Sequence, residues 1–209
     1  MQIIPLAPNH AATAARLHIA GQPDTFLTAL GPDVLTVFYR ALPRSPAGFG
    51  FAAIDEHNET VGFVASTTSV GSLFLEMGTK HIVRFLPPLL KRYIQRPRLL
   101  VQSVQTVLYP FMVGGDDEQH DSSQNKLDAE LLSIMVEPSA RSSGIGAQLL
   151  HALVDECRTR NIDLLDVTVD ANNAGARRFY ERHDFEYHHN FKLYGRDMCQ
   201  YKGAVPRGV

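Results

Sequence analysis

The stretch from Leu127 to Cys157 constrains the fold more than any other part of the chain. A run of strand composition, Leu127 to Val136, is ended by Pro138, and the turn Arg141-Ser142-Ser143-Gly144-Ile145-Gly146 leads straight into a helix pattern. In that pattern Ile145, Leu149, Leu153 and Cys157 fall four residues apart, the spacing of one buried stripe. Leu164 to Val169 then reads as a β-branched strand and Asn173 to about His183 as a helix. Phe185 to Tyr194 and Asp197 to Lys202 read as a terminal hairpin closing near Gly195. Strand, helix, strand, helix, strand, strand is an α/β arrangement with at least one crossover between parallel strands.

The turn has a chemistry of its own. A helix start leaves backbone N–H groups unpaired, the helix dipole favours negative charge there, and glycines let a diphosphate approach the main chain. No Gly-Lys-Ser/Thr follows, so it is not a Walker loop, and two glycines do not make the dinucleotide fingerprint. A plain helix N-terminus is the alternative reading.

The first half predicts a short strand at Gln2 to Leu6, a helix from a cap at Asn9 to about Ala20, and a second helix begun by Pro32 and carried to Leu42. Phe49 to Ile54 and Val61 to Thr67 form a hairpin around Asp55 to Asn58. From Leu73 to Pro110 helical spacing predicts two or three helices, broken near Pro87-Pro88 and at Pro97, and Gly114 to Gln124 reads as a mobile loop.

Composition narrows the classes. At 209 residues, 44% hydrophobic and net charge -2, the chain fits a single domain over residues 1–209 with an insert at about 71–126, and it lacks the basicity of a nucleic-acid binder. No leader-like or membrane-spanning run is present, so a cytoplasmic location is expected. Cys157 and Cys199 read as core residues rather than a disulfide or metal pair. The nine histidines contain no His-Glu-x-x-His pair, and His188 and His189, being adjacent, are expected on opposite faces of a strand, so no metal is expected.

Two motifs in order carry a family resemblance. Leu131 to Leu150 is similar to the cofactor motif of the GNAT (GCN5-related N-acetyltransferase) superfamily, a strand, an Arg/Gln-x-x-Gly-x-Gly/Ala turn and a helix. Asn173 to Phe185, with Ala176, Tyr180 and Glu181 in place, resembles its second motif, N-x-x-A-x-x-x-Y-E-x-x-G-F. Asp184 stands where the family usually has glycine, and Asp tolerates the left-handed conformation. The resemblance implies the acyl-CoA N-acyltransferase fold, a mixed and mostly antiparallel central sheet flanked by helices, with the helical insert between the third and fourth strands. It also implies acetyl-CoA as co-substrate and an amine as acceptor.

By the same resemblance, Ile134, Met135 and Val136 pair with the pantetheine arm, and Arg141, Ser142, Ser143, Gly144, Ile145, Gly146 and Ala147 hold the pyrophosphate. Asn173 and Ala176 line the arm, Asn173 alternatively capping its helix. Tyr180 protonates the leaving thiolate, or packs in the core. Glu130 serves as general base, as in the histone acetyltransferase branch, or faces solvent at a strand end. His18 and Glu76 are lesser candidates for substrate contact.

The expected activity is acetyl transfer to a primary amine of a small molecule, such as an amino sugar or polyamine. The alternatives are a protein or peptide acceptor, or a non-catalytic acyl-CoA sensor. The segment from Ser69 to Gly114 holds six basic side chains against the single acid Glu76, a net +5. Three meanings stay open for it: a decoration or lid over the acceptor groove, a homodimer contact, or a membrane-surface patch.

Overall fold

The computed structural model describes residues 1–99, 128–193 and 195–206. Its strands are β1 (Gln2–Pro5), β2 (Gly48–Ile54), β3 (Thr60–Thr67), β4 (Asp128–Val136), β5 (Leu164–Asp170), β6 (Phe185–Leu193) and β7 (Arg196–Ala204). They form one sheet in the order β1-β2-β3-β4-β5-β7-β6. Every neighbouring pair is antiparallel except β4 with β5, the crossover expected from the sequence.

Helices cover both faces. On one side α1 (Ala11–Gly21), α2 (Phe26–Leu30), α3 (Pro32–Ala41), α4 (Val70–Lys80) and α5 (Ile82–Gln95) bury Leu17, Leu35, Phe38 and Leu73 against the sheet. On the other, α6 (Ile145–Thr159) and α7 (Ala174–Glu181) pack over Leu131, Leu165 and Val167. The stripe read from the sequence is what α6 buries: Ile145, Leu149, Leu153 and Cys157 lie inside with Leu150. Each fully buried leucine contributes roughly 1.5–3 kcal/mol, so this helix is held by its face rather than its ends. Both cysteines are free and buried, and burial pushes the Cys157 thiol up to about 12.

Four expectations change. Helix α5 runs through Pro87 and Pro88 instead of breaking there. The two prolines forfeit two backbone donors and crowd the preceding turn, but Phe85, Leu89 and Tyr93 stay on one core-facing side only if the helix continues. Helix α2 has no strong periodicity because it is five residues long, started by the Thr25 side chain accepting from the Thr28 N–H. The cap of α1 is His10, after a short 3-10 turn at Pro8–His10, rather than Asn9. His188 and His189 do not point to opposite faces: the register of β6 against β7 slips between Tyr187 and His189, and the two rings lie 5.0 Å apart. Asp184 adopts φ 62°, the left-handed turn its side chain tolerates. The Gly114 to Gln124 loop and the end of the helical insert lie outside the described residues.

Candidate active site

The site begins with a failure of pairing. β4 and β5 are in register only from Asp128 with Leu164 to Leu131 with Val167, although β4 continues to Val136 and β5 to Asp170. At the point of parting, Ala65 of β3 faces Ser133 and Ser66 faces Leu131, so Leu132 is an extra residue and β4 carries a bulge. A bulge bends its strand and increases the local twist. Beyond it, the β5-facing edge of Ile134, Met135 and Val136 has no strand partner among the described residues, and these three residues line a groove of about 1600 Å³.

The turn after β4 closes one end of the groove. A 3-10 turn at Pro138–Ala140 precedes Ser142, at φ 64°, and Gly144, at φ 82°, which is the residue capping α6. The left-handed conformation is what asks for glycine at 144, since a Cβ there meets nothing within 4 Å. A Cβ on Gly146 would stand 3.4 Å from the Phe179 ring, so Gly146 sets how closely α6 approaches α7. The Arg141 Nε donates to the Val136 carbonyl at 3.2 Å, and the Ser143 hydroxyl donates to the Ala140 carbonyl at 2.6 Å. An ion pair between Arg16 and Glu137, 2.7 Å long, ties the turn to α1.

Of the residues read from the sequence, Glu130, Ile134, Met135, Val136, Arg141 and Gly146 line the groove, joined from α7 by Asn173, Ala176 and Tyr180. Ser142, Ser143, Gly144, Ile145 and Ala147 belong to the turn and first helical turn beside it, the Ile145 side chain being buried in the core. Asn173 does cap its helix: its Oδ1 accepts from the Ala176 N–H at 3.0 Å. Helix α7 is anchored to the sheet by the Arg177 Nε, which donates to the Tyr201 hydroxyl at 3.1 Å, and by that hydroxyl donating to Glu181 at 2.8 Å.

Tyr180 is 4% exposed, its ring packed between Phe179 and Phe185 at centroid distances of 5.3 and 5.4 Å. Burial raises its phenol well above the ordinary value, so it stays protonated. Glu130 is half-buried rather than facing solvent. Burial, and then the charge of Asp166 directly across the β4–β5 pairing, push its carboxyl up to about 7. A group with that value exchanges protons near neutrality.

The first half reaches the groove through residues that no motif marks. His18 lines it yet is 1% exposed: its Nδ1 lies 2.6 Å from the Tyr39 hydroxyl and 3.2 Å from Ser133, on the bulge of β4, and the Tyr39 hydroxyl donates to Ser133 at 3.3 Å. Burial lowers His18 to about 4, so the ring is neutral. Arg196, at the start of β7, pairs with Asp170 of β5 and donates to the Asp24 carbonyl at 3.0 Å, joining the loop after α1 to the β6–β7 hairpin. Glu76 is not a groove residue; it accepts from Ser45 and pairs with Lys80. Tyr39, Ser133 and Arg196 carry no local signal, because their partners lie far away in sequence.

Known proteins resemble this chain in part of its sequence and in its fold. Residues 111–185 match the model of the acetyltransferase (GNAT) family. Over 54 residues, 26% of this chain, the sequence is 41% identical to the [ribosomal protein bS18]-alanine N-acetyltransferase of Salmonella typhimurium, and the match spans 36% of that relative's length. Arabidopsis thaliana NAA60, solved in complex with acetyl-CoA, superposes at a TM-score of 0.60 with 15% identity, covering 98% of each chain. An aminoglycoside 6'-N-acetyltransferase complexed with coenzyme A superposes at 0.62 with 14% identity, covering 100% of each. The family match falls on the part of the chain that holds the strand–turn–helix motif and most of the second motif, and the fold is the one these solved N-acetyltransferases share. Among the described residues no group of three His, Cys, Asp or Glu side chains is placed to hold a metal, and no helix is long and apolar enough to cross a membrane.

Proposed function

We propose that the protein transfers the acetyl group of acetyl-CoA directly to a primary amine of a small cationic molecule. The observation that carries this reading is the parting of β4 from β5 beside the start of α6, with Glu130 and Tyr180 lining the one groove so formed. The residues fit the co-substrate: a Cβ on Gly144 would meet nothing within 4 Å, so there is room at the start of α6, where a helix leaves its first N–H groups unpaired, and the free edge of β4 offers main-chain groups to an extended amide chain. Bound there, acetyl-CoA supplies an activated acyl group on a thiol leaving group.

The remaining work falls to side chains of this chain. Glu130, with a carboxyl near 7, takes the proton of an incoming ammonium directly or through water. Tyr180 keeps its proton until a thiolate develops and then donates it. Main-chain N–H groups of β4 after the bulge polarise the acyl oxygen. The carboxylate of Glu130, when ionised, makes the groove attractive to a positively charged acceptor, and the Arg196 bridge to Asp24 ties loop to hairpin at the groove's edge, which favours a small amine over a long chain.

The 41% match to a [ribosomal protein bS18]-alanine N-acetyltransferase supports a second reading, a peptide acceptor, although that match covers only 26% of this chain. A thiol-release assay with acetyl-CoA against polyamines, amino sugars, aminoglycosides and peptide N-termini tests both. Turnover with small amines is expected. Turnover only with peptides gives the second reading, and tight binding without transfer to any amine gives a sensor.

A further inference from the structure

The exposed large apolar side chains of the described residues are concentrated on α4 and α5. Leu75, Ile82, Val83, Leu86, Leu90 and Ile94 account for all of them except Met1 and Tyr187. On α5 they are ordered. Phe85, Leu89 and Tyr93 face the core, whereas Val83, Leu86, Leu90 and Ile94 recur every three or four residues and so form a second stripe about a quarter-turn or more away. Val83 is 79% exposed and Ile94 83%. A helix apolar on two faces with only one covered leaves a surface that lacks a partner among the described residues.

The charges beside that stripe are all of one sign. Arg84 and Lys91 lie on its far flank, both exposed and in no ion pair among the described residues, and Lys80, Arg96 and Arg98 stand at the helix ends. No Asp or Glu occurs from Met77 to Leu99, although the whole chain is net -2. A second copy docking through the same stripe would bring the Arg84–Lys91 flank against itself or against the core-facing side, with no acid to answer it. The fit is instead to a surface that is negative outside and apolar beneath.

We infer that α5 is a docking face for an anionic lipid bilayer, lying flat with Val83, Leu86, Leu90 and Ile94 inserted and Arg84 and Lys91 at the headgroups. This inference does not depend on the transfer reaction proposed above. It places the protein on a membrane surface, not across it.

The chain contains no Trp, so Ile94→Trp introduces a single indole on the stripe. The full-length protein and this variant are mixed at low salt with phosphatidylcholine vesicles, with and without phosphatidylglycerol. Sedimentation with the anionic vesicles alone and a blue shift of the Trp emission are expected, both fading as salt shortens the Debye length from ~30 to ~8 Å. Arg84→Glu/Lys91→Glu is expected to weaken binding by about tenfold or more, and Leu90→Ser/Ile94→Ser to abolish it, with circular dichroism and melting unchanged. Absence of sedimentation at low salt, equal binding to neutral vesicles, or binding undiminished in both double variants overturns the inference. So does an emission already blue before vesicles are added, which means the stripe is covered in the free protein. Self-association relieved by Leu90→Ser/Ile94→Ser, without vesicle binding, assigns the face to a second copy instead.

Discussion

Glu130 and Glu76 summarise the difference between the two halves of the molecule. Glu130, on β4 at the mouth of the splay, has no cationic partner among the described residues, and burial together with Asp166 drives its carboxyl up to about 7. Glu76, on α4, is held by Ser45 and then by Lys80, which lower its carboxyl below the ordinary range. The same contrast separates Tyr180 from Tyr39. Both are buried, but the Tyr39 hydroxyl is engaged by His18 and Ser133, while Tyr180 makes no side-chain hydrogen bond among the described residues and borders the groove. The Tyr39 hydroxyl and the Glu76 carboxyl are thus held by partners, whereas Glu130 and Tyr180 border the groove without such partners among the described residues.

Substitutions can break this contrast, and the largest effect is expected at Tyr180. Tyr180→Phe keeps the ring contacts and should lower kcat by about 100-fold or more while leaving acetyl-CoA affinity unchanged by calorimetry. Wild-type turnover in this variant would make Tyr180 a core residue only.

Glu130 comes next. In the wild type kcat/KM should fall as pH drops through about 7, and in Glu130→Gln that limb should vanish, with the rate at about pH 8 reduced ~10- to 100-fold. The stability effect has the opposite sign. A carboxyl at about 7 when folded and 4.5 ordinarily binds more protons in the native state, so its ionisation destabilises progressively from about pH 4.5 to about 7 and fully above. Glu130→Gln should therefore be more stable than wild type by about 1–3 kcal/mol at about pH 8 and indistinguishable below about pH 4. Chemical denaturation at the two pH values reads this directly.

The glycines of the turn sharpen the comparison within one half. Gly146→Val should weaken acetyl-CoA binding by about tenfold or more with little change in melting, because its backbone is ordinary and only the groove and Phe179 are disturbed. Gly144→Val, at φ 82°, should lose about 1–3 kcal/mol of stability as well. Unaltered cofactor affinity in a folded Gly146→Val protein would exclude the turn as the phosphate site.

Smaller effects belong to the connections between halves. Arg196→Ala should raise the acceptor KM about 3- to 10-fold, leaving cofactor affinity intact, by releasing the loop at Asp24 from the hairpin. Tyr39→Phe should cost only about 1 kcal/mol in urea unfolding, since Ser133 and His18 still reach each other at 3.2 Å.

The sequence by itself determined the order and bounds of the elements in the second half. The strand, turn and helix from Asp128 to Thr159 and the Asn173-to-Phe185 motif are local patterns, and local patterns follow from hydrophobic period, glycine freedom and unpaired helix N–H groups, all readable from neighbouring residues. Even the departure at Asp184 was legible, because a left-handed turn depends on a single residue. What only the tertiary structure decided involves residues distant in sequence. Ser133 meets Tyr39 across 94 positions and Arg196 meets Asp24 across 172. The bulge at Leu132 appears only in the register against β3, and α5 holds together through Pro87 and Pro88 because a core formed by other helices buries one of its faces. The state of Glu130 belongs to the same class, since its raised carboxyl depends on Asp166 of another strand and on burial that no single segment supplies.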